Sequence, residues 1–142
     1  MRKVSFFVCF FNMLFFTSAT LANGFEEPQQ AINAYITAVS TGSGEHVEKA
    51  YASDATIKFY DNEERYQEFT RESFAKAVNT GRNWDVVIEI TSLRVTGKAA
   101  SATVEFTWGE NSDQGYVDYL NLIYINGSWK ISNKVAQYIS RK

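Results

Sequence analysis

The stretch "YLNLIYINGSWKIS", Tyr119 to Ser132, decides the fold. Two apolar runs meet at Asn126-Gly127, a pair that favours a two-residue type I′ turn because both central residues must take positive φ. Such a turn fixes register. Ile125 faces Ser128, Tyr124 faces Trp129 and Leu122 faces Ile131. An unbroken ladder then sets Leu120 opposite Asn133, Asp118 opposite Val135 and Tyr116 opposite Gln137, and alternation keeps these pairs on one face. That face is apolar near the turn and polar away from it. With Leu120, Leu122, Trp129 and Ile131 it makes the better core. The opposite face carries Val117, Tyr119, Ile123 and Ile125 against Ser128, Lys130, Ser132, Lys134 and Ala136.

Everything from Trp84 onward reads as strand, four long segments joined at Thr96-Gly97, across the Gly109 to Gly115 loop and at Asn126-Gly127. Trp84, Val86, Ile88 and Ile90 alternate, but Leu93 and Val95 have the other parity. A β-bulge near Thr91-Ser92 restores one apolar face and bends the sheet. Upstream, Pro28 opens a helix on which Ala31, Ile32, Tyr35, Ile36 and Val39 recur at helical spacing, and "STGSG" ends it. A short helix follows in "EHVEKAY", then a strand in "SDATIKFYD" with Ala55, Ile57 and Phe59 on one side. Residues 62–69 read equally well as a short strand or a loop. Thr70 caps a third helix, Arg71 to Asn79, with Phe74, Ala75 and Val78 inward. The pattern is one α+β domain, a strongly bent antiparallel sheet under three N-terminal helices.

The first residues belong to a different grammar. Arg2 and Lys3 precede an apolar run of 13 residues, Val4 to Phe16, and Thr20-Leu21-Ala22 supplies small residues at a cleavage site. Residues 1–22 are expected to be a signal peptide cut after Ala22, leaving a secreted or periplasmic domain over 23–142. The run falls short of the roughly 20 residues a membrane span needs. Losing Arg2 and Lys3 reduces the 14 basic residues to 12 against 16 acids, a formal charge of −4. Nucleic acid is therefore an unsuitable partner, and no membrane association is expected once the leader is gone. The single cysteine, Cys9, goes with the leader, so the domain has no disulfide, thiol nucleophile or cysteine metal site. No cofactor motif is present.

In this register Asp118 and Asn133 are diagonal neighbours within about 7–8 Å. They would form a polar cluster at the mouth of an apolar cavity, lined by Tyr35, Tyr60, Tyr116, Asp118, Leu120, Asn133 and Gln137. The bland alternative leaves both solvated at the open end of the sheet. Asp118 is the acid/base candidate, with Tyr35, Tyr60 or Tyr116 as hydrogen-bonding partner. His46, beside Glu45 and Glu48, reads as a surface residue, and Asp54 as a turn residue. One histidine and no cysteine make a zinc site a poor fit. Val117, Tyr119, Ile123 and Ile125 make a patch that monomers seldom expose. A second copy would cover it, or the lysine stems opposite would.

The order of elements, with "YASDAT" entering the first strand and "GSWKI" entering the last, resembles the nuclear transport factor 2-like superfamily from about Pro28 to Ser140. Within it the chain is similar to the lumazine-binding-like and SnoaL-like branches of small, often secreted bacterial proteins. The resemblance implies a cone-shaped sheet (the cystatin-like α+β roll), a pocket inside the cone and frequent dimerisation through the sheet. These motifs mark the fold and no activity. The leading expectation is a non-catalytic binder of a small, partly apolar molecule. The alternatives are a pocket isomerase, dehydratase or cyclase using Asp118, and an interaction module acting through the sheet face. An open apolar pocket would favour the binder, a buried carboxylate with a tyrosine partner the enzyme, and a filled interior the module.

Overall fold

The computed structural model describes residues 24–141, so the expected leader and its cleavage point lie outside the described residues. α1 (Pro28–Thr41) begins on Pro28, where a missing N–H costs nothing, and is closed by a capping box between Glu27 and Gln30. α2 (Gly44–Ala50) runs straight into β1 (Tyr51–Tyr60), and β2 (Tyr66–Thr70) follows, so the ambiguous segment contains a short strand. Thr70 caps α3 (Arg71–Val78), its Oγ1 accepting the Ser73 N–H at 3.2 Å. β3 (Val87–Thr96), β4 (Ala99–Trp108), a 3-10 turn over Glu110–Ser112, β5 (Gln114–Ile125) and β6 (Ser128–Ser140) complete the chain. Among the described residues, no helix is long and apolar enough to cross a membrane.

The six strands lie in the order β2-β1-β6-β5-β4-β3. The ladder is antiparallel except where β1 runs parallel to β6. That one parallel pair corrects the all-antiparallel expectation: β1 lies directly beside the last strand, and the chain passes from β2 at one edge through α3 to β3 at the other. β3 also starts later than the alternation suggested. The Trp84 N–H donates to the Ser40 carbonyl at 2.8 Å, which ties this residue to α1 instead of to β4. The bulge in β3 is present, the register stepping from Ile90↔Val104 to Ser92↔Thr103 so that Thr91 is extra. Ile90 and Leu93 are both half-buried against the core despite their opposite parity.

The final hairpin follows the expected register only as far as Leu122↔Ile131, with Asn126 and Gly127 at φ 51° and 78°. Beyond it Asn121 faces Asn133, Leu120 faces Lys134, Asp118 faces Ala136 and Tyr116 faces Tyr138. Ser132 has been bulged out. Its hydroxyl donates to the Asn121 carbonyl at 3.1 Å, and Asn121 Nδ2 donates to Asn133 Oδ1 at 2.9 Å. Because side chains alternate, one extra residue moves everything after it to the other face. Lys134 and Ala136 therefore turn inward and are buried, while Asn133, Val135 and Gln137 turn outward. The expected pairs Leu120–Asn133, Asp118–Val135 and Tyr116–Gln137 do not form.

The core fills the concave side of the sheet beneath α1 and α3. Ile32, Tyr35, Val47, Tyr51, Ile57, Val104, Leu120 and Ile131 are essentially inaccessible to water. Burying each large apolar side chain contributes about 1.5–3 kcal/mol. Beside this core α1, α3 and the sheet line a cavity, which is the candidate site.

Candidate functional site

Between the concave sheet, α1 and α3 lies a cavity of about 430 Å³, within the size range of small-ligand sites. Its depth can be read from exposure. Tyr35, Asp118 and Lys134 form a floor, at 2%, 1% and 6% relative exposure. Phe59, Phe74, Phe106, Trp84 and Tyr116 supply the walls, and the exposed Thr80, Arg82 and Asn83 form the rim. The aromatic walls hold one another in place. Trp84 stacks on Phe106 with centroids 6.0 Å apart, and Phe59 meets Tyr116 edge to face at 6.0 Å. Such ring pairs contribute about 0.5–1.5 kcal/mol beyond area burial.

The floor is an ionic cluster. The Tyr35 hydroxyl donates to Asp118 Oδ2. Lys134 Nζ lies 3.3 Å from the same carboxylate oxygen and donates to the Tyr35 oxygen at 3.0 Å. The ammonium also sits 4.8 Å from the Phe74 ring centre, 5.2 Å from that of Tyr35 and 5.6 Å from that of Phe59. Taking two charges out of water costs several kcal/mol per ion, so the cluster persists only because each charge meets its opposite and the rings take up part of the cation's field. Burial, then the Asp118 charge, pushes the Tyr35 hydroxyl well above its ordinary pKa. Tyr35 is thereby held as a neutral donor. Tyr51 meets Tyr35 edge to face with ring centroids 5.5 Å apart, and its buried hydroxyl is raised by the same two causes in the same order.

The rim is fixed to α1 by backbone. Gly42 ends α1 at φ 66°, and a Cβ there would stand 2.8 Å from the Arg82 nitrogen. Only glycine permits both the left-handed turn and that approach. The Gly81 N–H then donates to the Gly42 carbonyl at 2.9 Å, and Trp84 is tied to Ser40. Arg82 and Trp84 are thus carried at the cavity edge by an anchored segment.

Of the residues expected to line the pocket, Tyr35, Tyr116 and Asp118 are brought together here. Leu120 is buried in the core and does not line the cavity. Tyr60 is a correction: it stands 46% exposed on the convex side, packed on Tyr66 with centroids 5.7 Å apart. Asn133 serves the Ser132 bulge, and Gln137 is exposed with its amide on the Tyr138 carbonyl, so neither reaches the cavity. The sequence reading missed Arg82 and the aromatic walls other than Tyr116, and its unbroken ladder placed Lys134 outside. The only signal for Lys134 was the polar run Ser132-Asn133-Lys134, which carries no apolar parity to fix the register. His46 binds the Ser43 hydroxyl at 2.7 Å on α2, and Asp54 is exposed on β1. Neither belongs to the site. Val117, Tyr119, Ile123 and Ile125 do share the convex face, with Tyr119 at 56% and Ile123 at 42% exposure. The bulge adds Val135 to them.

Several solved structures share this architecture. A nuclear transport factor 2-like protein of unknown function from Methylobacillus flagellatus is 27% identical, with a TM-score of 0.66 over 80% of this chain and 90% of that one. Another of unknown function, from Silicibacter pomeroyi, is 21% identical with a TM-score of 0.67, covering 78% of this chain and 91% of that one. A ketosteroid isomerase-like protein from Erwinia carotovora atroseptica is 16% identical with a TM-score of 0.62, over 79% and 93% of the two chains. These likenesses establish the fold. No curated protein matches the chain. The model of the family described as "Putative lumazine-binding" matches residues 23–137. With that match over most of its length and the cone-shaped sheet beneath it, the chain belongs to the family so described, within the nuclear transport factor 2-like superfamily.

Proposed function

We propose that the protein is a non-catalytic binder that holds a small, partly apolar molecule in the cone. The observation that carries this reading is the open cavity walled by Phe59, Phe74, Trp84 and Phe106. Beneath it Asp118 is held through Oδ2 by Tyr35 and Lys134, an ion pair that builds the cavity floor. The open aromatic cavity above it is what a binder requires, and the family's name points the same way. Export through a signal peptide over residues 1–22 is part of the proposal, supported by the leader-like sequence.

A self-paired copy is part of it too. The bulge turns Lys134 away from the convex face, and Lys130 Nζ donates to the Lys49 carbonyl at 2.5 Å. The lysine stems therefore do not cover Tyr119, Ile123 and Val135, which favours a homodimer over that alternative.

Calorimetric titration with 2-naphthalenemethanol, a neutral bicyclic probe, tests the binding reading. Wild type should bind it, and Ala77→Trp, which fills the cavity from α3, should not while keeping its melting temperature. Equal heats for the two proteins, or none for wild type, would favour an interaction module instead. A second reading, Asp118 as an acid/base catalyst, rests on the buried carboxylate and its tyrosine partner. It requires that wild type exchange the α-protons of 2-tetralone into deuterated water faster than buffer, and that Asp118→Asn lose the effect.

A further inference from the structure

We propose that the molecule held in the cavity is a monoanion, an apolar ring body carrying one acidic group, a carboxylate or a phosphodiester, which Arg82 holds at the rim. This rests on the binding reading above and sharpens it. The charge census of the cavity is the first ground. Its charged lining residues are Asp118, Lys134 and Arg82. Asp118 and Lys134 neutralise each other at 3.3 Å, so one positive charge remains, in a chain whose formal net charge is −2.

The state of Arg82 is the second ground. Among the described residues its guanidinium makes no ion pair and no side-chain hydrogen bond, a state it shares with Arg71 and Arg94, and of these three it is the one that lines the cavity. A planar guanidinium presents a fork that matches two oxygens of a carboxylate or phosphate. The segment that carries it is anchored before any ligand arrives, through Gly81 to Gly42 and Trp84 to Ser40. An anchored donor spends less ordering entropy on capture.

The floor sets the other end of the molecule. Lys134 has three N–H donors, of which one meets Asp118 and one Tyr35. The third can serve a neutral acceptor such as a carbonyl or ring nitrogen. A second anion there would face the Asp118 carboxylate and be repelled. The acidic group therefore goes to the rim, the acceptor to the floor and the rings between Phe106, Trp84 and Phe59.

The test compares two probes with the same ring, 2-naphthoate and 2-naphthalenemethanol, by calorimetry with wild type and Arg82→Gln. Wild type should bind the acid about fivefold tighter than the alcohol, as fits one charge-assisted contact at a partly exposed rim. Arg82→Gln should bring that ratio to about one, and 0.5 M salt should shrink it in wild type. A wild-type ratio of one, or a ratio untouched by Arg82→Gln, overturns the anion assignment. In that case alcohol binding that Ala77→Trp abolishes leaves the binding reading standing. If neither probe binds wild type, both fall.

Discussion

Replacing Lys134 by methionine should cost the fold about 3 kcal/mol, and adding Asp118→Leu to the same molecule should return most of it. The two side chains are 8% and 2% exposed. Removing one partner of a pair this deeply buried costs about 3–5 kcal/mol, because the other charge is left uncompensated. Methionine keeps the length and apolar body of the lysine stem, so packing against Phe59 and Phe74 is largely retained. Asp118 still accepts the Tyr35 hydroxyl, which places the loss at the lower end of the range. The reverse single change, Asp118→Leu, should be milder. Its orphaned ammonium keeps the Tyr35 oxygen and three ring faces within 5.6 Å, and it borders the open cavity. The double mutant replaces both charges with apolar groups, a change that is often neutral or stabilising. Urea unfolding of the four proteins measures this as shifts in midpoint at constant slope. The coupling should exceed about 1.5 kcal/mol, with non-additivity as its signature. Should Lys134→Met stand within about 0.5 kcal/mol of wild type, or the two losses simply add, cavity water already solvates both charges. The reading of the floor as a mutually neutralised ion pair would then fail.

The convex face gives a second expectation: Ile123→Glu should yield a folded monomer, since a buried unpaired charge costs several kcal/mol at an apolar contact. Sedimentation at tens of micromolar checks it, and a wild type already monomeric there would rule the dimer out. A third concerns Asp61, which accepts the N–H groups of Glu63 and Arg65 and the side chains of Arg65 and Gln67. Burial acts to raise its pKa, but these hydrogen bonds outweigh it and hold the carboxyl at about 2. Its folded value lies below the unfolded one near 3.9, so its contribution is present above roughly pH 4 and lost as pH falls towards 2. Amide exchange should show the β1–β2 turn loosening over that window in wild type and already loose at pH 6 in Asp61→Ala. Equal protection in both proteins at pH 6 would remove Asp61 from the turn. A fourth concerns alkali. Tyr35 and Tyr51 have folded pKa values raised by burial and by Asp118, so their contribution is full below about pH 10 and disappears above it. Absorbance at 295 nm should show two of the eight tyrosines ionising only as the protein unfolds. Reversible titration of all of them near pH 10 in the native state would contradict the buried cluster.

How much was legible follows from where the apolar pattern carries information. Asn126-Gly127 and the runs beside it define the hairpin to Leu122 and Ile131, because apolar residues on both strands repeat with period two. The β3 bulge was legible for the same reason: Ile90 and Leu93 both need the core, and only an extra residue allows it. Ser132, Asn133 and Lys134 are all polar, so hydrophobic patterning is silent where the last strand shifts. The deciding interactions there are the Ser132 hydroxyl on the Asn121 carbonyl and the Asn121–Asn133 amide contact, which depend on the strands already being paired. Asp118 and Tyr35 were recoverable because inward parity and helical spacing send both to the core. Tyr60 was misplaced although the β1 alternation already set it opposite Phe59, the residue that does line the cavity.

Ser132 has a further consequence, which concerns length. It is the residue of β6 that the pocket does not count. Deleting it would leave Asn133 opposite Asn121 and Lys134 opposite Leu120, the partners they already have, in a strand that is simply regular. Losing a residue between Asn133 and Tyr138 would instead send part of the floor or its neighbours to the convex side. Relatives are therefore free to be one residue shorter at this point and still carry an inward cation. Matching their last strands without a gap would set Lys134 against a solvent-facing neighbour, and a shared ionic floor would pass for a difference in chemistry.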